Sequence, residues 1–357
     1  MEEQFLPPLE EIPFEDVLTA LLDQDQMFDP IYLNRLSDIN QDHLAALYQI
    51  WGEVHVERRR ALIEDLEQLT DSNPLLTFEP IFRFAIKDED DQVRFFATRA
   101  IEIFDTDDLI PFFLSVLDQE ENDDVRAVTA AVLGKYIYRG ELDKIDPEIK
   151  RNIEDKLLEI LEGDHPLEIQ QRALEAISYS SRAEVNEHIL KAYQSELDDW
   201  IASAVFAMGR SFSHEYCEMV FDKLQHTSPK VRLEAVRACG ELTVEDAVPT
   251  ILDLLDDLPE IRGAAIWALS QIGGEEAGPA IHGLLDDEVS DDEIELIQQA
   301  LERLDFLEEG INLSMFDMPY SDQDDYDPDE HDFDSDDFDQ DGYELEDFDL
   351  DDDLWLE

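Results

Sequence analysis

The sequence is poor in basic residues, in cysteine and in long apolar runs, and each shortage closes off a class of function. Lysine and arginine together number 25 against 92 aspartates and glutamates, a formal net charge of −67. Sequence-independent nucleic-acid binding needs cations that displace counterions from phosphate, so this composition argues against it. Docking on anionic lipid is disfavoured for the same reason. Cys217 and Cys239 are the only cysteines. Two are too few for a disulfide framework and predict a reducing compartment, with both thiols acting as small core groups on one helix pair. The opening "MEEQFLPPLEEIPF" lacks the basic start and apolar segment of a secretory signal. No apolar run is long enough to span a bilayer. The expectation is a soluble, cytoplasmic protein.

Catalytic signatures are equally scarce. No G-x-x-x-x-G-K-[ST] loop is present, and "GRSFS" at 209 lacks the closing glycine of a nucleophile elbow. The histidines show no metal-ligand spacing, and His214-Glu215 is the single His-Glu pair. The sequence therefore predicts a non-enzyme with no catalytic, cofactor-binding or metal residues.

What is there is a repeat. "VRLEAVRACG" at 231 has relatives in "VRFFATRAIE" at 93, "VRAVTAAVLG" at 125, "IQQRALEAIS" at 169, "WIASAVFAMG" at 200, "IRGAAIWALS" at 261 and a degenerate "IELIQQALER" at 294. Successive starts lie 32, 44, 31, 31, 30 and 33 residues apart, so one interval is stretched. Val231, Ala235 and Ala238 are spaced i, i+4, i+7 and share one helical face. Small residues at the last two places, such as Ala97 and Ala100 or Ala204 and Ala207, admit a neighbouring helix closely. Asp90, Asn122, Ser228 before Pro229, and Asp291 stand where these helices start. An amphipathic run precedes each, for example "AVPTILDLLDDL" at 247. Seven helix pairs over residues 78–308 follow, an all-α array without strands.

The V-R-x-x-A-x-x-A-L-G pattern, with its "AVP-x-L-x-x-L" type of preceding helix, resembles the HEAT repeat. The likeness is to the short bacterial variety that includes the HEAT-like repeats of bilin lyases. The resemblance implies an α-solenoid whose V-R-x-x-A helices line a concave docking face. Arg99 and Arg237 are the expected partner-binding residues there, beside Thr98, Glu175, Tyr179 and Glu234. It also implies the alternative of an accessory lyase or other ligand-binding enzyme acting on a tetrapyrrole-type substrate. Gln170, Ile201 and Glu295 depart from the pattern by losing its arginine.

Residues 1–77 read as helices without the repeat and are expected to form an N-terminal cap. The stretched interval holds Lys135, Arg139, Lys144, Lys150, Arg151 and Lys156, a basic island expected either as a projecting loop or as lengthened helix. Residues 309–357 read as a disordered acidic-aromatic tail: 20 of the 37 residues from 321 onward are acidic and none is lysine or arginine. Asp337, Asp339, Asp341 and Gly342 match half of a calcium loop, but Phe348 stands where its bidentate carboxylate belongs. The tail aromatics Tyr326, Phe333, Phe338, Tyr343, Phe348 and Trp355 complete the expected partner-binding set. The resulting expectation is a monomeric interaction scaffold for a basic or neutral protein, binding no cofactor, nucleic acid or membrane. Acidity with eight lysines also matches adaptation to high salt.

Overall fold

The computed structural model of the chain describes residues 12–286 and 290–315. The chain divides into two units, Met1–Gly310 and Ile311–Glu357, and the following concerns the first. All regular structure among the described residues is helical. Helix α1 (Phe14–Leu22) and a 3₁₀ turn at Pro30–Leu36 precede a series of antiparallel pairs. After α2 (Gln41–Trp51), which packs on α1 and α4, and α3 (Val56–Ser72), the pairs are α4 (Glu79–Ala85) with α5 (Asp91–Ala100) and α6 (Ile110–Gln119) with α7 (Asp123–Glu141). There follow α8 (Pro147–Glu162) with α9 (Leu167–Ile177), α10 (Ala183–Tyr193) with α11 (Asp198–Arg210), and α12 (Cys217–Asp222) with α13 (Pro229–Glu241). The last are α14 (Val248–Asp253) with α15 (Pro259–Ile272) and α16 (Ala277–Gly283) with α17 (Asp291–Met315). Seven pairs begin with α4, as the repeat predicts.

The second helices, from α3 through α15, pack directly on one another, while the first helices from α4 through α14 contact chiefly their own partners. The repeat sequence explains this division. Ala97, Ala173, Ala204, Ala207, Ala235, Ala265 and Ala268 have no exposed surface, and the larger Thr129 and Val132 occupy the same buried places. Glycine at the pattern's last position brings the backbones closer still. A Cβ built on Gly134 would lie 3.0 Å from Ala176 Cα, one on Gly209 2.9 Å from Ala238 Cα, and one on Gly240 3.0 Å from Ala268 Cα. Each glycine of one helix thus faces the second alanine of the next.

The helix starts agree in part with expectation. Asp90 and Asn122 accept hydrogen bonds from the N–H of Val93 and Val125. Ser228 holds the cap position without a side-chain bond, leaving Pro229 to set the first turn. At the last pair the Ser290 hydroxyl accepts from Glu293 N–H, one residue before the expected Asp291.

At three seams the pattern's arginine joins one pair to the next through a carboxylate, while Arg126 reaches His165 instead. Arg94 makes two bonds to Glu120 (2.9 and 2.8 Å), Arg232 two to Asp257 (2.8 and 2.9 Å) and Arg262 two to Glu293 (2.6 and 3.2 Å). Arg60 on α3 grips Asp90 in the same way (2.9 and 2.6 Å). The neighbouring Arg59 is buried at the pattern's valine place, 3.5 Å from Asp88, and Ile63 and Leu66 fill the alanine places. So α3 stacks on α5 by the same rule, with larger side chains.

The stretched interval is lengthened helix. α7 runs on to Glu141, burying Tyr136, whose hydroxyl lies 2.7 Å from that of Thr106. The basic island is largely consumed within the fold. Lys135 caps the carbonyls of Glu102 and Phe104, Arg139 pairs with Asp105 and Asp107, Lys150 with Glu141, and Lys156 with Asp118 and Glu159. Cys239 is fully buried, which pushes its thiol pKa up to about 12, and Cys217 is partly buried; both are free. No described helix is long and apolar enough to cross a membrane.

Candidate functional site

Positions three, six and ten residues after the repeat starts lie along one side of the row of second helices, those at three sometimes buried, as Ser203 is. They hold Phe96 and Arg99 on α5, Arg172, Glu175 and Tyr179 on and just beyond α9, and Ser203, Phe206 and Arg210 on α11. Glu234, Arg237 and Glu241 follow on α13, and Trp267 on α15. Four ion pairs organise the face. Arg99 binds Glu67 through two bonds, the second at 2.8 Å, and Arg172 meets Glu175 at 2.5 Å. Arg210 lies 3.2 Å from Glu241, and Arg237 lies 3.0 Å from Glu234.

The partners are unequally placed. The arginine side chains are 40–49% exposed, whereas the four glutamates are 7–15% exposed. Buried carboxylates thus anchor half-open guanidinium groups, which are planar and rich in donors. Burial is the main cause that raises the pKa of Glu175, Glu234 and Glu241, opposed by the arginines beside them. The Glu67 hydrogen bonds raise that of Arg99. Ser203 donates to Glu175 at 2.7 Å across the α9–α11 seam, while Glu234 Oε2 is buried with no partner. Aromatic rings lie among the arginines: Arg99 sits 5.1 and 5.5 Å from the Phe95 and Phe96 centroids, and Arg210 sits 5.3 Å from Phe206. Tyr138 and Tyr179 pack 5.4 Å apart.

Of the residues expected on this face, Arg99, Arg237, Glu175, Glu234 and Tyr179 are there. Thr98 is not: it is 2% exposed, because it points between helices rather than away from the row. Sequence reasoning missed Arg172, Arg210, Phe206 and Trp267, although the repeat register already assigned them to the same positions. Tyr326, Phe333, Phe338, Tyr343, Phe348 and Trp355, with the half calcium loop at 337–342, lie outside the described residues. No group of three or more His, Cys, Asp or Glu side chains among the described residues is arranged to hold a metal ion.

The family model described as HEAT repeats matches residues 217–302. No curated protein matches the sequence. Among solved structures, YibA of E. coli is 15% identical, with 79% of this chain and 99% of that chain covered and a TM-score of 0.41. The CpcE–CpcF complex of phycocyanin lyase from Nostoc sp. is 17% identical over 64% of this chain and 95% of that one, TM-score 0.44. Yeast importin-beta is 11% identical over 83% of this chain and 47% of that one, TM-score 0.45.

Proposed function

We propose that this α-solenoid of HEAT-like repeats is a non-enzymatic scaffold that binds a protein partner on the face of its second helices. The observation that carries the reading is the contrast between that face and the rest of the chain. A sequence of net charge −67 gathers four arginines there, each on a buried glutamate and interleaved with aromatic rings. Arginine, tyrosine and tryptophan are the side chains that dominate binding energy at protein interfaces. The ion pairs make the face nearly neutral, so it neither repels a basic partner nor costs one an unpaired charge. The acidic surroundings and tail supply long-range attraction, which speeds encounter and weakens with salt. The close spacing of the second helices supports this reading, because in a solenoid the more tightly spaced row lines the inner side.

Affinity capture with three baits compared side by side tests this: the full chain, residues 1–315, and the full chain carrying Arg99→Ala and Arg237→Ala. A partner of the face is retained by the full chain and depleted with the double variant. The tail-less bait recovers less of it at low salt, a deficit that shrinks in high salt as the tail's attraction is screened. Equal recovery of the same proteins by all three baits refutes the reading. A lyase-type enzyme acting on a tetrapyrrole, the rival function, instead predicts a saturable change in a bilin's absorption spectrum on mixing with the protein.

A further inference from the structure

One seam in the array lacks its arginine while keeping the acid that the arginine would grip. Asp257, the partner of Arg232, stands four residues before the next repeat start, and the same place before Trp200 holds Glu196. The residue that should reach it from α9 is Gln170. Its amide instead turns back onto the carbonyls of Ile160, Leu161 and Gly163, at 3.3, 3.4 and 2.9 Å. This copies half of what Arg232 does, since Arg232 also caps the carbonyls of His226 and Thr227. The other half, the bridge to the next pair, is missing. At the following seam both members are replaced: Ile201 is buried apolar, Thr227 stands for the acid, and Lys230 to Asp199 at 2.6 Å bridges the pairs instead.

Beside Gln170 lies a cleft of about 340 Å³ between the α8–α9 and α10–α11 pairs. That is at the small end of ligand pockets, roughly 300–1,000 Å³. Leu161, Leu174, Ala192 and the Trp200 indole give it an apolar wall, while Gln170 and Ser195 add polar groups. The ionisable residues lining it are Lys191 and His188, both cationic or cationisable, in a chain otherwise dominated by acids. His188 Nε2 lies 3.9 Å from Glu162, whereas no carboxylate lies within 4.0 Å of Lys191 among the described residues.

We propose that this cleft binds a small amphiphilic anion: one aromatic ring against Trp200 and the leucines, and one carboxylate directed at Lys191 and His188. The site lies at the ends of α8 and α10, apart from the arginine face, and does not depend on a protein partner. A carboxylate gains a charge-assisted contact with the ammonium, which an uncharged isostere forgoes.

¹⁹F NMR on the full chain tests the assignment with three probes of one shape: 4-fluorophenylacetate, 4-fluorophenylacetamide and 4-fluorophenethylamine. The acid should show saturable one-site binding, with the amide and the amine each at least tenfold weaker. Lys191→Ala should abolish the preference for acid over amide. Gln170→Arg restores the repeat's own residue opposite Glu196, so it should preserve the fold, raise the urea midpoint and remove binding of the acid. Absence of saturable acid binding at millimolar concentration, tighter binding of the amine, or unchanged acid binding by a folded Gln170→Arg variant would overturn the proposal.

Discussion

If the second helices stack through glycine-to-alanine contacts, the same chemical change at two helical glycines should have opposite signs. Gly209 lies within α11, and a Cβ there would stand 2.9 Å from Ala238 Cα and 3.0 Å from Ala238 Cβ, and would also overlap Glu241 Oε2. The glutamate end can swing away, but the Ala238 backbone can move only if α11 and α13 separate. Forced overpacking of this kind typically costs about 1–3 kcal/mol. Against it stands the intrinsic preference of a helix for alanine over glycine, about 0.8–1.0 kcal/mol. Displacing Glu241 also disturbs its pairing with half-exposed Arg210, which is worth up to about 1 kcal/mol. Gly209→Ala should therefore destabilise by about 1–2 kcal/mol.

Gly263 lies within α15, and the nearest atom to its would-be Cβ is Leu296 Cδ2 at an ordinary 3.6 Å. With no overlap to offset the helix preference, Gly263→Ala should stabilise by about 1 kcal/mol. The pair is read by urea unfolding of the full chain. Because repeat arrays need not unfold in one step, amide exchange across α11 and α13 is compared with that across α5. Loss of protection should concentrate at α11 and α13 in Gly209→Ala and spare α5. Equal stabilisation by both substitutions would refute the claim that close backbone approach sets the seam.

Two further outcomes follow from the charges. Arg232→Ala removes both bonds to Asp257 and the caps on two carbonyls at a site where both side chains are largely buried, so it should cost about 2 kcal/mol, against at most about 1 kcal/mol for half-exposed Arg237→Ala. Arg232→Gln should recover part of that loss, because Gln170 already caps carbonyls in this way; equal urea midpoints for the alanine and glutamine variants would contradict it. Glu234 has a folded pKa raised by burial, so the folded chain binds its proton more readily and this group's contribution to stability falls as pH rises from the ordinary glutamate value through the raised one. Asp257, held low by Arg232, acts oppositely: its contribution is present above the ordinary aspartate value and is lost as pH falls through the depressed one. Thermal melts from pH 4 to 7 should show Glu234→Gln flattening the decline toward neutral pH, and an unchanged profile would count against its burial.

The repeat was legible because one register fixes many contacts at once. Once Val231, Ala235 and Ala238 share a face, the stacking of second helices and the position of every equivalent residue follow. Arg172, Arg210 and Trp267 were in that register too, but a single helix viewed alone makes each look like ordinary solvated surface. The inter-pair bridges carried a fainter signal: an acid roughly one repeat beyond most pattern arginines, as Glu120 follows Arg94 and Asp257 follows Arg232. In so acidic a sequence such a match arises easily by composition. The α3 stacking escaped notice because Leu66 and Ile63 occupy the alanine places, and buried Arg59 replaces valine, its charge met by Asp88 and Glu89.

These two uses of arginine explain how a chain with so few cations distributes them. At the pattern position, a guanidinium bridges consecutive pairs and is largely buried with its acid, as Arg94 and Arg232 show at 17% exposure each. Five residues further along the same helices, Arg99 and Arg237 point the other way and are 48% and 49% exposed on their buried glutamates. Five residues of helix turn a side chain through roughly 500°, or about 140° net, enough to move it from the seam to the opposite face. A seam that lacks its bridging arginine is either filled another way, as Lys230 and Asp199 do beside Ile201, or bordered by a cleft, as beside Gln170. Stability and recognition are therefore best separated at Arg237, whose Glu234 sits on its own helix. Arg99, by contrast, also ties α5 to Glu67 on α3, so its substitution is read beside the urea midpoint of the same variant.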